Sequence, residues 1–195
     1  MANNPDFFVE VVSMIYLPYD HEKGEEFTEE LSQRYKKLDG AMKLLESWRK
    51  IPGVGEDGCI DKETLTNWVS AVRTKAQECK MTYGVDSEIG KVLACYPRNS
   101  DSWPPDEICE VIDTLNSDAI TSNFETEIFN SRGVSVRSPY EGAVQERSLS
   151  TDFQKMAKKI AAKWPITSGA LLSLSKTYAN DAKREDERAH LDEIR

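Results

Sequence analysis

The sequence predicts an all-α protein of about eight helices, packed as an irregular helical bundle of hairpins. Three observations predict it. Apolar residues recur every three or four positions over most of the 195 residues, which is helical spacing. Alternating apolar and polar stretches of the strand type are nearly absent. Prolines and glycines fall between the periodic stretches, where helices stop.

The elements follow in order. Pro5 is placed as a first helical residue, Phe8, Val11, Val12 and Ile15 repeat behind it, and Pro18 stops the helix. After a polar stretch, Phe27, Leu31, Tyr35, Leu38, Met42, Leu45 and Trp48 mark the second helix. Thr28 is its expected cap, Gly40 lies inside it, and Pro52 and Gly53 end it. A glycine-rich turn leads to a third helix, capped by Asp61, whose buried face is Leu65, Trp68, Val69, Val72, Ala76 and Cys79, with Gly84 closing it. Asp86 or Ser87 is expected to cap a fourth, carrying Ile89, Val92, Leu93 and Cys95 and ended by Pro97. A fifth carries Ile108, Val111, Ile112 and Leu115; Ser117 caps a sixth with Ile120, Phe124, Ile128 and Phe129. A seventh runs from about Gly142 to Trp164 with Leu149, Phe153, Met156 and Ile160 on its stripe. Pro165 separates it from a last helix, apolar at Leu171, Leu174 and Tyr178 and very polar beyond Asp181.

A chain of this length is expected to form a single all-helical domain, residues 1–195, able to bury a core without a metal or disulfide staple. The break at 130–140, with Gly133 and Pro139, is the candidate subdomain boundary, and Gly133–Val136 is the one stretch that reads as extended.

Charge narrows the function classes. The net charge is −9, and residues 98–130 hold eight acids against one base, Arg98. Such a surface repels phosphate, so nucleic acid is an unfavoured partner. Cys59, Cys79, Cys95 and Cys109 form no close pair, and His21 and His190 are far apart in sequence, so no zinc spacing exists. Reduced thiols suit a cytoplasmic location. The run Phe7–Leu17 is too short and too interrupted to cross a bilayer, so no membrane association is expected.

Each candidate site has a structural alternative. The turn from Gly53 to Asp61 resembles the middle of a calcium loop, but Gly53, Gly55 and Thr64 stand where oxygen ligands are needed, so a turn and helix cap is the better reading. No metal or cofactor is expected. Arg132 and Arg137 flank the extended piece; they have the chemistry to clamp a carboxylate or phosphate from a partner, or to pair with the protein's own acids. Internal pairing outweighs clamping here. Lys155, Lys158, Lys159 and Lys163 lie mostly opposite the seventh helix's apolar stripe; with Arg147 they form a basic strip for an acidic partner or, with more weight, a solvated face. Trp103, before two prolines, is an exposed anchor or, with more weight, a core residue.

One resemblance adds to this. The order Ile60-Asp61, Leu65, Trp68-Val69, then Ile89-Gly90, Leu93-Ala94, then Trp103-Pro104, Asn130, Arg132-Gly133-Val134 and Gln145-Glu146-Arg147, Leu149 resembles a helical segment near the C-terminal end of large uncharacterised bacterial proteins. It covers most of residues 5–190. The resemblance implies one domain of a larger bacterial protein, of a kind linked to defence against phage, and carries over no activity or site.

The expected function is a non-catalytic helical interaction module, presenting a helix face or the Arg132–Arg147 region to a protein partner or to another domain of a larger chain. The rival is an enzyme or small-ligand sensor with a polar site between helices. The reading leans away from an enzyme.

Overall fold

A computed structural model describes residues 1–16, 29–98, 102–132 and 143–193, with side chains 29–35, 189 and 191–193 left aside. Among the described residues there are eight helices and no strand: α1 Pro5–Ile15, α2 Glu29–Ser47, α3 Lys62–Glu78, α4 Thr82–Ala94, α5 Asp106–Leu115, α6 Asp118–Asn130, α7 Val144–Ile160 and α8 Pro165–Glu193. They gather into two compact units, Met1–Tyr96 and Pro97–Arg195. The chain divides beside Pro97, the residue expected to end the fourth helix.

In the first unit, α1 packs on α2, α3 and α4. Asn4 caps α1, its side-chain oxygen accepting the Phe7 N–H at 3.1 Å. Phe8, fully buried, sits between Trp48 and Trp68 with ring centroids 5.3 and 4.9 Å away. Such aromatic pairs add about 0.5–1.5 kcal/mol each beyond the area they bury. Along α2 and just past it, Leu38, Leu45 and Trp48 are half-buried as expected, but Ala41 is buried where Met42 stands 44% exposed, so the stripe shifts by one residue at that turn alone. Ala41 and Met42 are adjacent apolar residues of a polar helix, and tertiary packing chooses between them.

The Gly53–Asp61 turn is a small antiparallel bridge between Val54 and Ile60. Gly53 and Gly58 take positive φ, the conformation that favours glycine. A Cβ on Gly53 would lie 2.7 Å from the Asp61 carbonyl oxygen. Asp61 caps α3, accepting the Thr64 N–H at 2.7 Å; the Thr64 hydroxyl first and this N–H second hold its carboxyl below the usual range. Its oxygen is thus spent on the helix.

The third helix ends at Cys79, which is exposed rather than on the buried face, and Lys80 takes φ 56°. α4 starts earlier than expected, at Thr82. Gly84 therefore lies inside it and Asp86 is no cap. The Tyr16 side chain packs against Gly84, and a Cβ there would fall 2.5 Å from its ring Cγ.

In the second unit, α8 packs on α5, α6 and α7. α7 and α8 are antiparallel, because Ala157, Ser150 and Ala143 meet Ser168, Ser175 and Asp186 in reverse order. Ser150 and Ser175 exchange hydroxyl-to-carbonyl hydrogen bonds of 2.8 Å each way, so the two backbones lie close. Asp113 of α5 fastens the start of α8, accepting from the Ile166 and Thr167 amides at 2.9 Å each and the Thr167 hydroxyl at 2.6 Å. A carboxylate at a helix N-terminus satisfies orphan amides and suits the dipole.

Candidate functional site

Two polar clusters stand out, one in each unit. In the first unit, α4 carries Asp86, Ser87 and Glu88, all buried. Arg73 of α3 meets Asp86 with two parallel hydrogen bonds of 2.9 and 3.2 Å. Glu88 accepts from the Tyr16 hydroxyl at 3.0 Å and from Lys91 at 2.7 Å. Burial first, then the Glu88 charge, pushes the Tyr16 hydroxyl well above the ordinary phenol range. This network satisfies acids that the packing of α1, α3 and α4 would otherwise strand.

The second cluster is a layered stack of arginines and aromatic rings. Arg98 lies over the Phe153 ring, 5.9 Å from its centroid. Phe153 stacks on Tyr178 at 5.6 Å with an interplanar angle of 3°. Arg132 lies over the other ring of the pair, Tyr178, at 5.7 Å. Phe129 tilts against Tyr178 at 5.4 Å. Helical spacing puts Phe153 on α7 and Tyr178 on α8 at facing positions of the hairpin, while the end of α6 delivers Ser131 and Arg132.

Charge within the stack is uneven. Arg132 pairs with Glu146 at 2.6 Å and with Gln145 at 3.3 Å. The Glu146 side chain is almost wholly buried, at 1% exposure. Arg98 is exposed and donates to the Ser131 hydroxyl at 3.2 Å; among the described residues no carboxylate lies within ion-pair distance of it. Tyr178 is fully buried, and among the described residues its hydroxyl has no hydrogen-bond partner. Burial raises its pKa, while both Arg98 and Arg132 act to lower it, so the hydroxyl feels both guanidiniums.

The residues singled out from sequence are scattered. Arg132 enters the stack with an internal acid as partner. Arg137 lies outside the described residues. Arg147 pairs with Asp186, whose other oxygen accepts the Ala143 N–H. Lys155 stands 3.8 Å from Asp152, and Lys158 and Lys159 are exposed along α7. Lys163 is held apart from them, bridging to Asp106 at 2.6 Å, beside the Trp164 indole N–H at 2.8 Å on the same carboxylate. Both donors hold Asp106 below the usual range, Lys163 first. Trp103 is a core residue, 3% exposed, stacked on Phe124 and edge-on to Phe153.

Sequence reading missed Arg98 as a site residue, along with Tyr178's hydroxyl. One signal for Arg98 was present: it is the single base among eight acids over 98–130. Of the thiols, Cys109 is buried and pushed up to about 12, chiefly by burial, which keeps it protonated and inert. Among the described residues no group of three metal-ligating side chains converges, and no helix is long and apolar enough to cross a membrane. Comparison with known families, curated proteins and solved structures finds no match.

Proposed function

We propose that the chain is a non-catalytic helical interaction module whose α1 edge docks an amphipathic helix of a protein partner. One observation carries the reading. The apolar arc of α1 is wider than the stripe its unit buries. Phe8, Val9, Val11 and Val12 are buried, yet Phe7 and Met14 remain 40% and 38% exposed. Seven residues apart, those two stand on one line, about two turns from each other at 1.5 Å per residue. Helix-in-groove recognition uses anchors at this spacing.

A photo-crosslinking side chain at Phe7 or Met14 is expected to give a discrete adduct in cells, and one at exposed Ser70 of α3 none. Phe7→Ser and Met14→Ser should abolish the adduct while leaving the melting midpoint within about 2 °C, since exposed substitutions change stability little. No adduct from either position ends the reading. The rival, a small-ligand sensor with a polar site between helices, is favoured by a different observation, the buried Tyr178 hydroxyl, which has no hydrogen-bond partner among the described residues.

A further inference from the structure

The exposed side of α1 is narrow and carries two kinds of chemistry. At 3.6 residues per turn, Phe7, Met14, Glu10 and Asp6 follow one another around the helix within an arc of about 100°. All four are exposed, whereas Phe8, Val9, Val11 and Val12 are buried. Phe7 and Met14 take the side of the arc nearer to Val11, so they continue the apolar surface of the core outward. Glu10 and Asp6 border that line with carboxylates, and α1 contains no Lys or Arg. Two like charges four residues apart on one helix face repel, a small cost that a cation from outside would relieve. The sequence around α1 has the same sign: residues 1–30 hold eight acids against one base, Lys23.

Given the docking role proposed for α1, we infer that its partner is a basic amphipathic helix, with apolar residues seven apart on Phe7 and Met14 and Lys or Arg on the flank that meets Glu10 and Asp6. A helix that covers Phe7 and Met14 lies within reach of both carboxylates. An acidic flank would repel them and an apolar flank would desolvate them, whereas a basic flank pairs them. Glu10 follows Asp6 by about 6 Å along the axis, so cations three or four residues apart on the partner meet both. The long stems of Lys and Arg add apolar contact while their charged heads stay in water. The charge of the surrounding sequence also steers a cationic helix toward this end of the chain, an attraction that weakens with salt.

The full chain is titrated with a capped Leu/Lys peptide, stapled into an amphipathic helix, and with its Leu/Glu counterpart. Salt is held at about 0.15 M, where exposed charges more than about 8 Å apart are largely screened. Backbone amides of α1 are followed by NMR. The Leu/Lys peptide should give saturable shifts centred on Phe7, Glu10 and Met14, and the Leu/Glu peptide should bind at least tenfold more weakly. Asp6→Asn with Glu10→Gln should weaken the Leu/Lys peptide at least threefold, and Glu63→Gln, at an exposed position of α3, should leave it unchanged. Glu10→Lys should narrow the gap between the two peptides. Phe7→Ser with Met14→Ser should remove the shifts. If it does so while the two peptides bind alike, or while Asp6→Asn with Glu10→Gln binds as tightly as the parent, the α1 edge stands and the basic partner is overturned. Leu/Lys shifts that survive Phe7→Ser with Met14→Ser overturn the edge and the basic partner together. Neither peptide saturating overturns the basic partner and leaves the adduct in cells to decide the edge.

Discussion

Arg132 and Glu146 show what a single buried pair does in this protein. The carboxylate is almost wholly enclosed, and the guanidinium both pairs with it and covers the Tyr178 ring. Removing one partner of a buried pair leaves the other desolvated, which costs about 3–5 kcal/mol. Arg132→Ala should therefore lower urea-unfolding stability by about 3 kcal/mol. Arg132→Lys, which restores the charge but not the planar face, should recover only part of it. A change under about 0.5 kcal/mol, the size of an ordinary surface substitution, would show that solvent already screens the pair. Glu125 is the opposite case. It is half-buried on α6, burial raises its pKa, and a Ser173 hydrogen bond only partly offsets this. Its folded pKa is above its unfolded one. The associated stability is full below the ordinary glutamate value of about 4.3 and is lost as pH rises through the folded pKa. Glu125→Gln should melt higher than the parent at neutral pH, with the gap closing near pH 3. A gap that stays constant with pH would refute the assignment.

At the scale of the element, helical spacing identified the eight helices found among the described residues, because an amphipathic helix announces its period in its own residues. Faces and ends were less legible. Ala41 is buried in place of Met42, and α4 begins at Thr82 rather than near Asp86. Asp86 has the chemistry of a cap, and only the approach of Arg73 from α3 makes it an internal ion-pair partner instead. Two glycines separate intrinsic propensity from packing. Gly40 sits within α2 with nothing within 4 Å of an added Cβ. Gly40→Ala should stabilise by up to about 1 kcal/mol, the helix propensity difference. Gly84 gains the same propensity but would drive a methyl into Tyr16. Gly84→Ala should destabilise by about 1–3 kcal/mol, since a packed ring joined to Glu88 has little room to yield. Thermal melts of the two variants should move in opposite directions; movement in the same direction would mean that Tyr16 leaves Gly84 freely.

For the whole molecule, the net charge of −9 sets long-range behaviour whatever the helices do. The lysines of α7 are matched or diluted by that charge, so duplex DNA should not bind measurably in fluorescence polarisation at about 0.15 M salt. Salt-sensitive binding there would restore Lys155, Lys158 and Lys159 as a contact surface. The division into Met1–Tyr96 and Pro97–Arg195 was not legible from the glycines and prolines near 130–140. A loop rich in breakers marks where a helix ends, whereas a unit boundary is where few contacts cross, and that depends on partners distant in sequence.

By itself the sequence determined that the chain is helical, where most helices lie, and most of the apolar residues they bury, because each of these is written within some four residues. Only the tertiary structure decided which acids are partners and which are caps, that Trp103 is core, and that Arg98 and the Tyr178 ring both lie against Phe153. Those outcomes join residues dozens of positions apart, and local periodicity carries no record of such meetings.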